Sequence, residues 1–397
     1  MAKNITSVAA AHRITEKKLP KAIYSALYAG MEKGLTRDNN VLAFDELGVI
    51  PRVADLGNEH NQKTRVMGVD LSFPVITSCV GAQGICSEGE KLVAKATKKS
   101  GTAIALSNFA TKAMEEVIQH NENLFFQLYW FGSKDDIQAR VERARKAGAK
   151  GLIITLDWMM TFRKDWDSVT PPSEMNLATA LSFAIPAITH PSWALDFVTK
   201  GMPKLTAPNA REAHDKKDPP FASVFPKMFG AKMPTWEDLQ WLREIWGGSF
   251  MIKGIMHPDD ALRAIDIGAT AISVSNHGGN NIDSTPASIR ALPAIAKAVN
   301  NQLDVCFDGG IRRGLDVVKA VALGAKAVLI GRAHLYGLAA DGENGVHQVL
   351  EILRGGVHEG LLALGKPSIH DLVPEDVIAP EGFFLNKFPP TFQYLKK

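Results

Sequence analysis

From residue 73 onward, short unbroken apolar runs alternate with longer stretches in which apolar residues recur every three or four positions. The apolar runs are Phe73–Thr77, Ala103–Ser107, Phe125–Tyr129, Leu152–Leu156, Phe250–Lys253, Ala271–Ser275, Val305–Asp308 and Ala327–Ile330. Runs this short, rich in Val, Ile and Leu and without polar alternation, are expected of strands buried on both faces. The stretches Glu88–Lys99, Lys134–Ala147, Trp236–Trp246, Pro258–Ile267, Ala287–Val299 and Leu315–Leu323 carry helical spacing. Gly101, Gly148, Gly268 and Gly324 stand where left-handed C-terminal caps belong. Eight strand–helix units in a row predict an α/β fold, a TIM (β/α)8 barrel. The alternative is an open doubly wound sheet, but no glycine-rich turn follows the first strand.

Three segments fall outside this repeat. Residues 1–72 predict an N-terminal helical extension with a small extended piece around Val66–Leu71. The barrel is expected over 73–356, and a C-terminal helix and tail over 357–397. A long insertion after strand 4, residues 159–234, carries many prolines and charges together with Trp166 and Trp193. At the C-terminal face of a barrel such a segment is an active-site lid or a plain surface loop. The tail from Ala379, with Phe383, Phe384, Phe388, Phe392 and Tyr394, is too aromatic for a solvated linker and is expected to pack.

Composition narrows the class. At 46% hydrophobic and 22% charged the chain reads as an ordinary water-soluble globular protein. A net charge of +3 with scattered basic residues argues against nucleic acid as a partner. Cys79, Cys86 and Cys306 form neither a disulfide framework nor a metal-ligand spacing, so no metal and a reducing cytoplasm are expected. No run of apolar residues is long enough for a transmembrane segment, and Met1–Pro20 lacks the apolar core of a signal peptide.

The candidate chemistry collects at strand ends. Ser275-Asn-His-Gly-Gly-Asn-Asn281 follows the sixth strand, where a barrel enzyme places an acid or base, so His277 is the first candidate. Asp157, just past strand four, can orient His277 and stabilise its protonated form. Alternation sets Gln127 with Tyr129, and Thr155 with Asp157, each pair on one face of its strand. Lys253 ends an apolar strand; it is a Schiff-base nucleophile, a fixed positive charge beside an anionic ring, or an ion-paired structural lysine. Asp308-Gly-Gly-Ile-Arg-Arg-Gly314 and Leu329-Ile-Gly-Arg332 offer backbone nests, with Arg312 and Arg332 as charged donors, for a phosphorylated ligand or cofactor that the pattern alone does not name. Tyr24, within Lys21–Tyr24, reads on its own as a packing residue.

Taken together these pieces resemble the FMN-dependent 2-hydroxy acid oxidase and dehydrogenase family. The likeness runs from Leu19–Tyr24 to Arg332 and rests on Phe126–Tyr129, Thr155–Asp157, Ile252–Gly254, Ser275–Gly278, Asp308–Arg312 and Ile330–Arg332. The resemblance implies FMN at the barrel mouth. Ser78, Cys79 and Val80 would lie along the flavin, although the family more often has Ala-Pro there. Ser107, Gln127 and Thr155 would bond the isoalloxazine, and Lys253 would stand at its N1 and O2 edge. Ser275 falls among the cofactor-binding residues, and Asp308, Gly310, Arg312, Gly331 and Arg332 would hold ribityl chain and phosphate. His277, Asp157 and Tyr129 would be catalytic, with Tyr24, Tyr129, Lys164, His277 and Asn280 toward substrate. The family also implies a homo-oligomer of the tetramer type.

Two departures bear on the substrate. Where the family holds a carboxylate with two arginines, this chain has Asn280 and Lys164, the latter beside Arg163. Truncating one arm of a buried charge pair costs about 2–5 kcal/mol, which makes a poor site for lactate or glycolate. The family's Thr-Pro after the aspartate is replaced by Trp158-Met159. Ser275–Asn281, Asp283–Ile289, Asp157-Trp158, Glu174–Leu177, Pro234–Asp238 and Leu353–Gly356 resemble one branch of the family, the pre-mycofactocin synthases. That resemblance implies oxidation of the C–NH2 carbon of a peptide-derived 3-amino lactam to an α-keto lactam. The alternatives are an L-2-hydroxy acid dehydrogenase or oxidase in which Lys164 or Arg163 alone binds the carboxylate, and a flavin-binding barrel with an electron-carrier role.

Overall fold

The computed structural model describes residues 5–28, 30–54, 56–81, 83–158, 165, 184–201 and 206–389. Strands β1 (Thr64–Val66) and β2 (Val69–Leu71) form an antiparallel hairpin. The strands β3 (Val75–Thr77), β4 (Ile104–Ser107), β5 (Leu124–Tyr129), β6 (Gly151–Thr155), β7 (Ser249–Ile255), β8 (Ala271–Val274), β9 (Asp304–Asp308) and β10 (Ala327–Ile330) follow. These eight are parallel and close into a barrel, β10 pairing with β3. Each of the eight apolar runs overlaps one strand, so the fold is the TIM barrel expected.

The six periodic stretches are helices to within one or two residues: Gly89–Lys99, Lys134–Ala147, Trp236–Trp246, Pro258–Asp266, Ser288–Val299 and Gly314–Ala322. Local chemistry sets their ends. Ser133 and Thr235 open two of them with reciprocal bonds to Asp136 and Asp238, which satisfy end N–H groups. Gly148 closes one at φ 92, a conformation that disfavours a Cβ. Among the described residues of the barrel proper, outside the insertion, two helices lay outside the expected set. Met114–Val117 is a single turn, too short to show a period. Arg332–Leu364 is broken at Asp341 and Gly342, and it runs through residue 356, where the barrel was expected to give way to a C-terminal segment.

The floor of the barrel is closed by the hairpin. Val66, Met67, Val69 and Leu71 share one buried cluster with Ala103, Phe125, Met251, Ala271 and Cys306 of the barrel. Gly151, the first residue of β6, makes room for this plug, since a Cβ there would stand 2.6 Å from Met67 Cε. The plug's backbone is met by strand-end side chains. Met67 N donates to Asp304 Oδ2 at 2.8 Å, and Ser249 Oγ donates to Met67 O at 2.9 Å.

The N-terminal extension holds the helices Val8–Lys18, Lys21–Tyr28 and Leu35–Asp45. The last braces the loops at the opposite, C-terminal end of the barrel. Asn40 and Asn276 exchange side-chain hydrogen bonds of 2.8 and 2.9 Å, and Thr36 N donates to Asp283 Oδ1 at 2.8 Å. Of the insertion, the described part includes the helices Ala184–Thr189, Pro191–Lys200 and Phe221–Phe229. Ala207, Ala210, Val224 and Met228 pack with Phe109, Tyr129, Phe131 and Trp158, so the insertion covers the ends of β4, β5 and β6. In the tail, Phe383 is buried and Phe384 and Phe388 pack on the core, as the aromatic composition predicts; Phe392 and Tyr394 lie outside the described residues. No helix among the described residues is long and apolar enough to cross a membrane.

Candidate active site

Parallel strands all end at one face, so the polar residues at their C-terminal ends converge. The centre is a buried charge cluster. Lys253 on β7 is 2% exposed and lies 3.1 Å from Asp308 Oδ2 on β9. Its ammonium also donates to Ser275 Oγ at 2.8 Å. Ser275 Oγ in turn donates to Asp308 Oδ1 at 2.8 Å, and Ser273 Oγ to Asp308 Oδ2 at 2.9 Å. Burial by itself lowers the Lys253 ammonium, but Asp308 and Asp157 outweigh it and hold the group above its ordinary value. Lys253 is therefore a fixed cation, not a neutral amine ready to form a Schiff base.

Beside it stands the pair expected from the sequence. His277 Nδ1 lies 2.9 Å from Asp157 Oδ1. Burial pushes Asp157 up, but His277 and Lys253 outweigh it and hold the carboxylate below its ordinary range. The backbone here is tightly built. His277 sits at φ 55, uncommon for a residue with a Cβ, and its N–H donates to Ser275 Oγ at 3.0 Å. Gly254, at φ 106, leaves the space Asp157 occupies: a Cβ there would stand 2.7 Å from that side chain's Cβ. Asn281 Nδ2 donates to the Asp157 carbonyl from the other side.

Toward β4, β5 and β6 the floor of the mouth is polar and incompletely paired. Ser107 Oγ donates to Gln127 Oε1 at 3.0 Å. Among the described residues, Gln127 Nε2, Thr155 Oγ1 and Asp157 Oδ2 are buried without a partner. Tyr129 is buried against Phe109, which pushes its phenol well above the usual range. Ser78 N donates to Ile330 O at 2.8 Å, which fixes the segment Ser78–Val80 along the rim. Burial pushes the Cys79 thiol up to about 11, so it is no nucleophile at neutral pH.

On the β10 side the groups are cationic. Arg332 Nη1 donates to Gly278 O at 2.8 Å. Burial, with Arg312 and Arg37 pressing the same way, lowers Arg332 to about 10. A buried guanidinium among like charges, at a helix start whose first N–H groups have no partner within the helix, suits a phosphate. Gly331 opens that helix. Gly310 has a different local reason for being glycine: at φ 88 a Cβ would lie 1.8 Å from Asn40 O.

Not every candidate joins the cluster. Tyr24 bonds His12 at 2.8 Å and stacks on Tyr28. Asn280 is exposed, and among the described residues nothing bonds its side-chain amide. Lys164 lies outside the described residues. Three residues of the site were missed by sequence reasoning. Ser273 carried a signal, since it shares the face of Ser275 by alternation. So did Gly254, a glycine inside a strand, which marks close approach. Asn281 carried none that separates it from Asn280, because the turn decides which of the two faces inward.

A family model described as FMN-dependent dehydrogenase matches residues 15–379. The chain belongs to this family. It is an FMN-dependent oxidoreductase, and the mouth fits the cofactor on its own evidence: unmet buried polar atoms toward Gln127 and Thr155, a fixed cation at Lys253, and paired arginines beside a helix start. Within the family the chain is 52% identical over 378 residues to pre-mycofactocin synthase of Mycolicibacterium smegmatis, covering 95% of this chain and 94% of that protein. It is 34% identical over 372 residues to L-lactate dehydrogenase of Pseudomonas putida, covering 92% and 96%. Its fold is similar to that of the monotopic membrane protein (S)-mandelate dehydrogenase, with TM-score 0.82 and 29% identity over 95% of this chain and all of the other.

Proposed function

We propose that this chain is a pre-mycofactocin synthase-type enzyme of mycofactocin biosynthesis, which oxidises the C–NH2 carbon of a peptide-derived 3-amino lactam. The observation that carries the reading is the 52% identity to pre-mycofactocin synthase over 95% of the chain, against 34% for L-lactate dehydrogenase. Asn280 in place of a carboxylate-binding arginine points the same way, because a neutral lactam leaves no charge unmatched there.

When bound, FMN supplies the acceptor for two electrons and a hydrogen. Gln127, Thr155 and Ser107 are the residues to bond its ring, Lys253 to stand at its electron-rich edge, and Arg332 and Arg312 to hold its phosphate. The rest falls to the chain's own groups. His277, with Nδ1 turned to Asp157, presents Nε2 to the substrate. That nitrogen takes the proton given up as the substrate's C–N single bond becomes a C=N bond. Asp157 keeps the ring in the orientation and tautomer this requires, and stabilises the imidazolium that results. Water then adds to the imine carbon, and ammonia leaves as the ketone forms. The helix Phe221–Phe229 and its neighbours, packed over Tyr129 and Trp158, exclude bulk water from that side.

The test is product analysis. Holoenzyme incubated in air with a 3-amino lactam bearing a 4-hydroxybenzyl group is expected to release one ammonia per α-keto lactam formed. Recovery of unchanged amine, with full FMN occupancy, contradicts the reading.

A further inference from the structure

Two buried polar atoms beside the Asp157–Trp158 peptide have no part in the reading so far. Trp158 is 3% exposed and its indole Nε1 has no partner among the described residues. The ring packs in the cluster of Tyr129, Phe109, Val224 and Met228. Asn281 is 2% exposed; its Nδ2 donates to the Asp157 carbonyl, and its Oδ1 is left without a partner among the described residues. One atom is a donor and the other an acceptor, on residues joined to the same stretch of backbone. An unmet buried polar atom costs free energy that a carbon of the same shape does not, so such atoms call for a ligand that meets them.

We propose that Trp158 and Asn281 read the amide edge of the substrate: the indole N–H donates to the lactam carbonyl, and Asn281 Oδ1 accepts the lactam N–H. This rests on the lactam reading above. A ring holds its amide cis, so a lactam presents an acceptor and a donor side by side, which is the complement of this pair. The carboxylate of a 2-hydroxy acid presents acceptors only in the same place and sets an oxygen against Asn281 Oδ1. The pair therefore selects the lactam and disfavours the acids that other members of the family take. Asn281 also positions Asp157 through its carbonyl, which ties recognition of the amide to the setting of His277.

The probe is 5-(4-hydroxybenzyl)pyrrolidin-2-one, which has the amide and no amine to oxidise. It is titrated into FMN-loaded enzyme and followed by the flavin absorbance. Trp158→Phe keeps the ring and removes the donor; it is expected to weaken binding by about ten-fold or more with FMN content unchanged. N-methylation of the probe is expected to weaken binding to the unaltered enzyme by about ten-fold, and to cost nothing further in Asn281→Ala. If Trp158→Phe fails to fold, the methylation comparison decides alone. Equal affinity in folded Trp158→Phe, or a methylation penalty that persists in Asn281→Ala, overturns the proposal. Turnover of the 3-amino lactam by unaltered enzyme is measured alongside. Turnover with unmoved probe affinities overturns this pairing and leaves the deamination standing; the expected affinity changes without turnover do the reverse.

Discussion

The floor and the mouth of the barrel are made by the same eight strands and treat polar atoms in opposite ways. At the floor, Met67 fills the space left by Gly151, and its backbone N–H and C=O are met by Asp304 and Ser249. At the mouth, Gln127 Nε2, Thr155 Oγ1 and Asp157 Oδ2 are buried and unmet among the described residues, and His277 is held at a positive φ. Closing the floor serves stability. Unmet atoms and a strained backbone at the mouth cost stability and are kept where a ligand and a reaction use them. Altering the mouth should therefore cost turnover, and altering the floor should cost stability.

The largest effect is expected from His277→Ala. Turnover should fall by about 10²–10⁴-fold, the usual share of a general base, while bound FMN and the unfolding midpoint hold. Turnover within a few-fold of the unaltered enzyme would remove His277 from the chemistry. At the floor, Met67→Ala should lower unfolding free energy by about 2–5 kcal/mol in a denaturant titration, with turnover per bound FMN unchanged. Loss of turnover without loss of stability would erase the distinction between the two ends.

The third expectation concerns His334, behind the mouth at the start of the helix Arg332–Leu364. Its Nδ1–H donates to Ile330 O at 2.7 Å, and burial lowers the imidazole from 6.5 to about 4. Above pH 6.5 the ring is neutral in both folded and unfolded chains and has no effect on stability. As pH falls from 6.5 toward 4 the unfolded chain takes up a proton that the folded one refuses, so stability declines, by about 3 kcal/mol in all. Unfolding curves of His334→Leu should lack this slope, and an unchanged slope places its origin elsewhere. The smallest effect belongs to Gly151→Ala, about 1–3 kcal/mol, because the added methyl meets the flexible end of Met67 most closely, at 2.6 Å, with Phe125 Cδ1 at 3.1 Å and the Ser249 carbonyl oxygen at 3.3 Å. In the double variant with Met67→Ala the penalty should shrink; additive penalties would mean the two side chains do not share that space.

How much of this could be read in the sequence differs between the same two regions. The mouth was largely legible, because His277, Asp157, Lys253 and Asp308 are unusual residues at strand ends, and parallel strands bring all their ends to one face. Period alone located the eight strands and six of the helices. The floor was not legible: Val66–Leu71 showed an extended piece, but nothing local says that it turns inward beneath the barrel. The contact between Gly151 and Met67 joins residues far apart in the chain. The same limit hid Asn281. Asn280 and Asn281 are chemically alike, and only the left-handed turn His277–Gly279 exposes the first and buries the second. The case for a neutral substrate, first drawn from Asn280, thus gains a second residue that faces inward.

The most direct test of the central claim is anaerobic reduction of the bound flavin, followed by its absorbance in a stopped-flow mixer. The holoenzyme is mixed in turn with the 4-hydroxybenzyl 3-amino lactam, L-lactate, glycolate and L-mandelate. The account predicts bleaching by the amino lactam and none by the acids at sub-millimolar concentration. Rapid bleaching by any of the three acids, with the amino lactam inert, would contradict it.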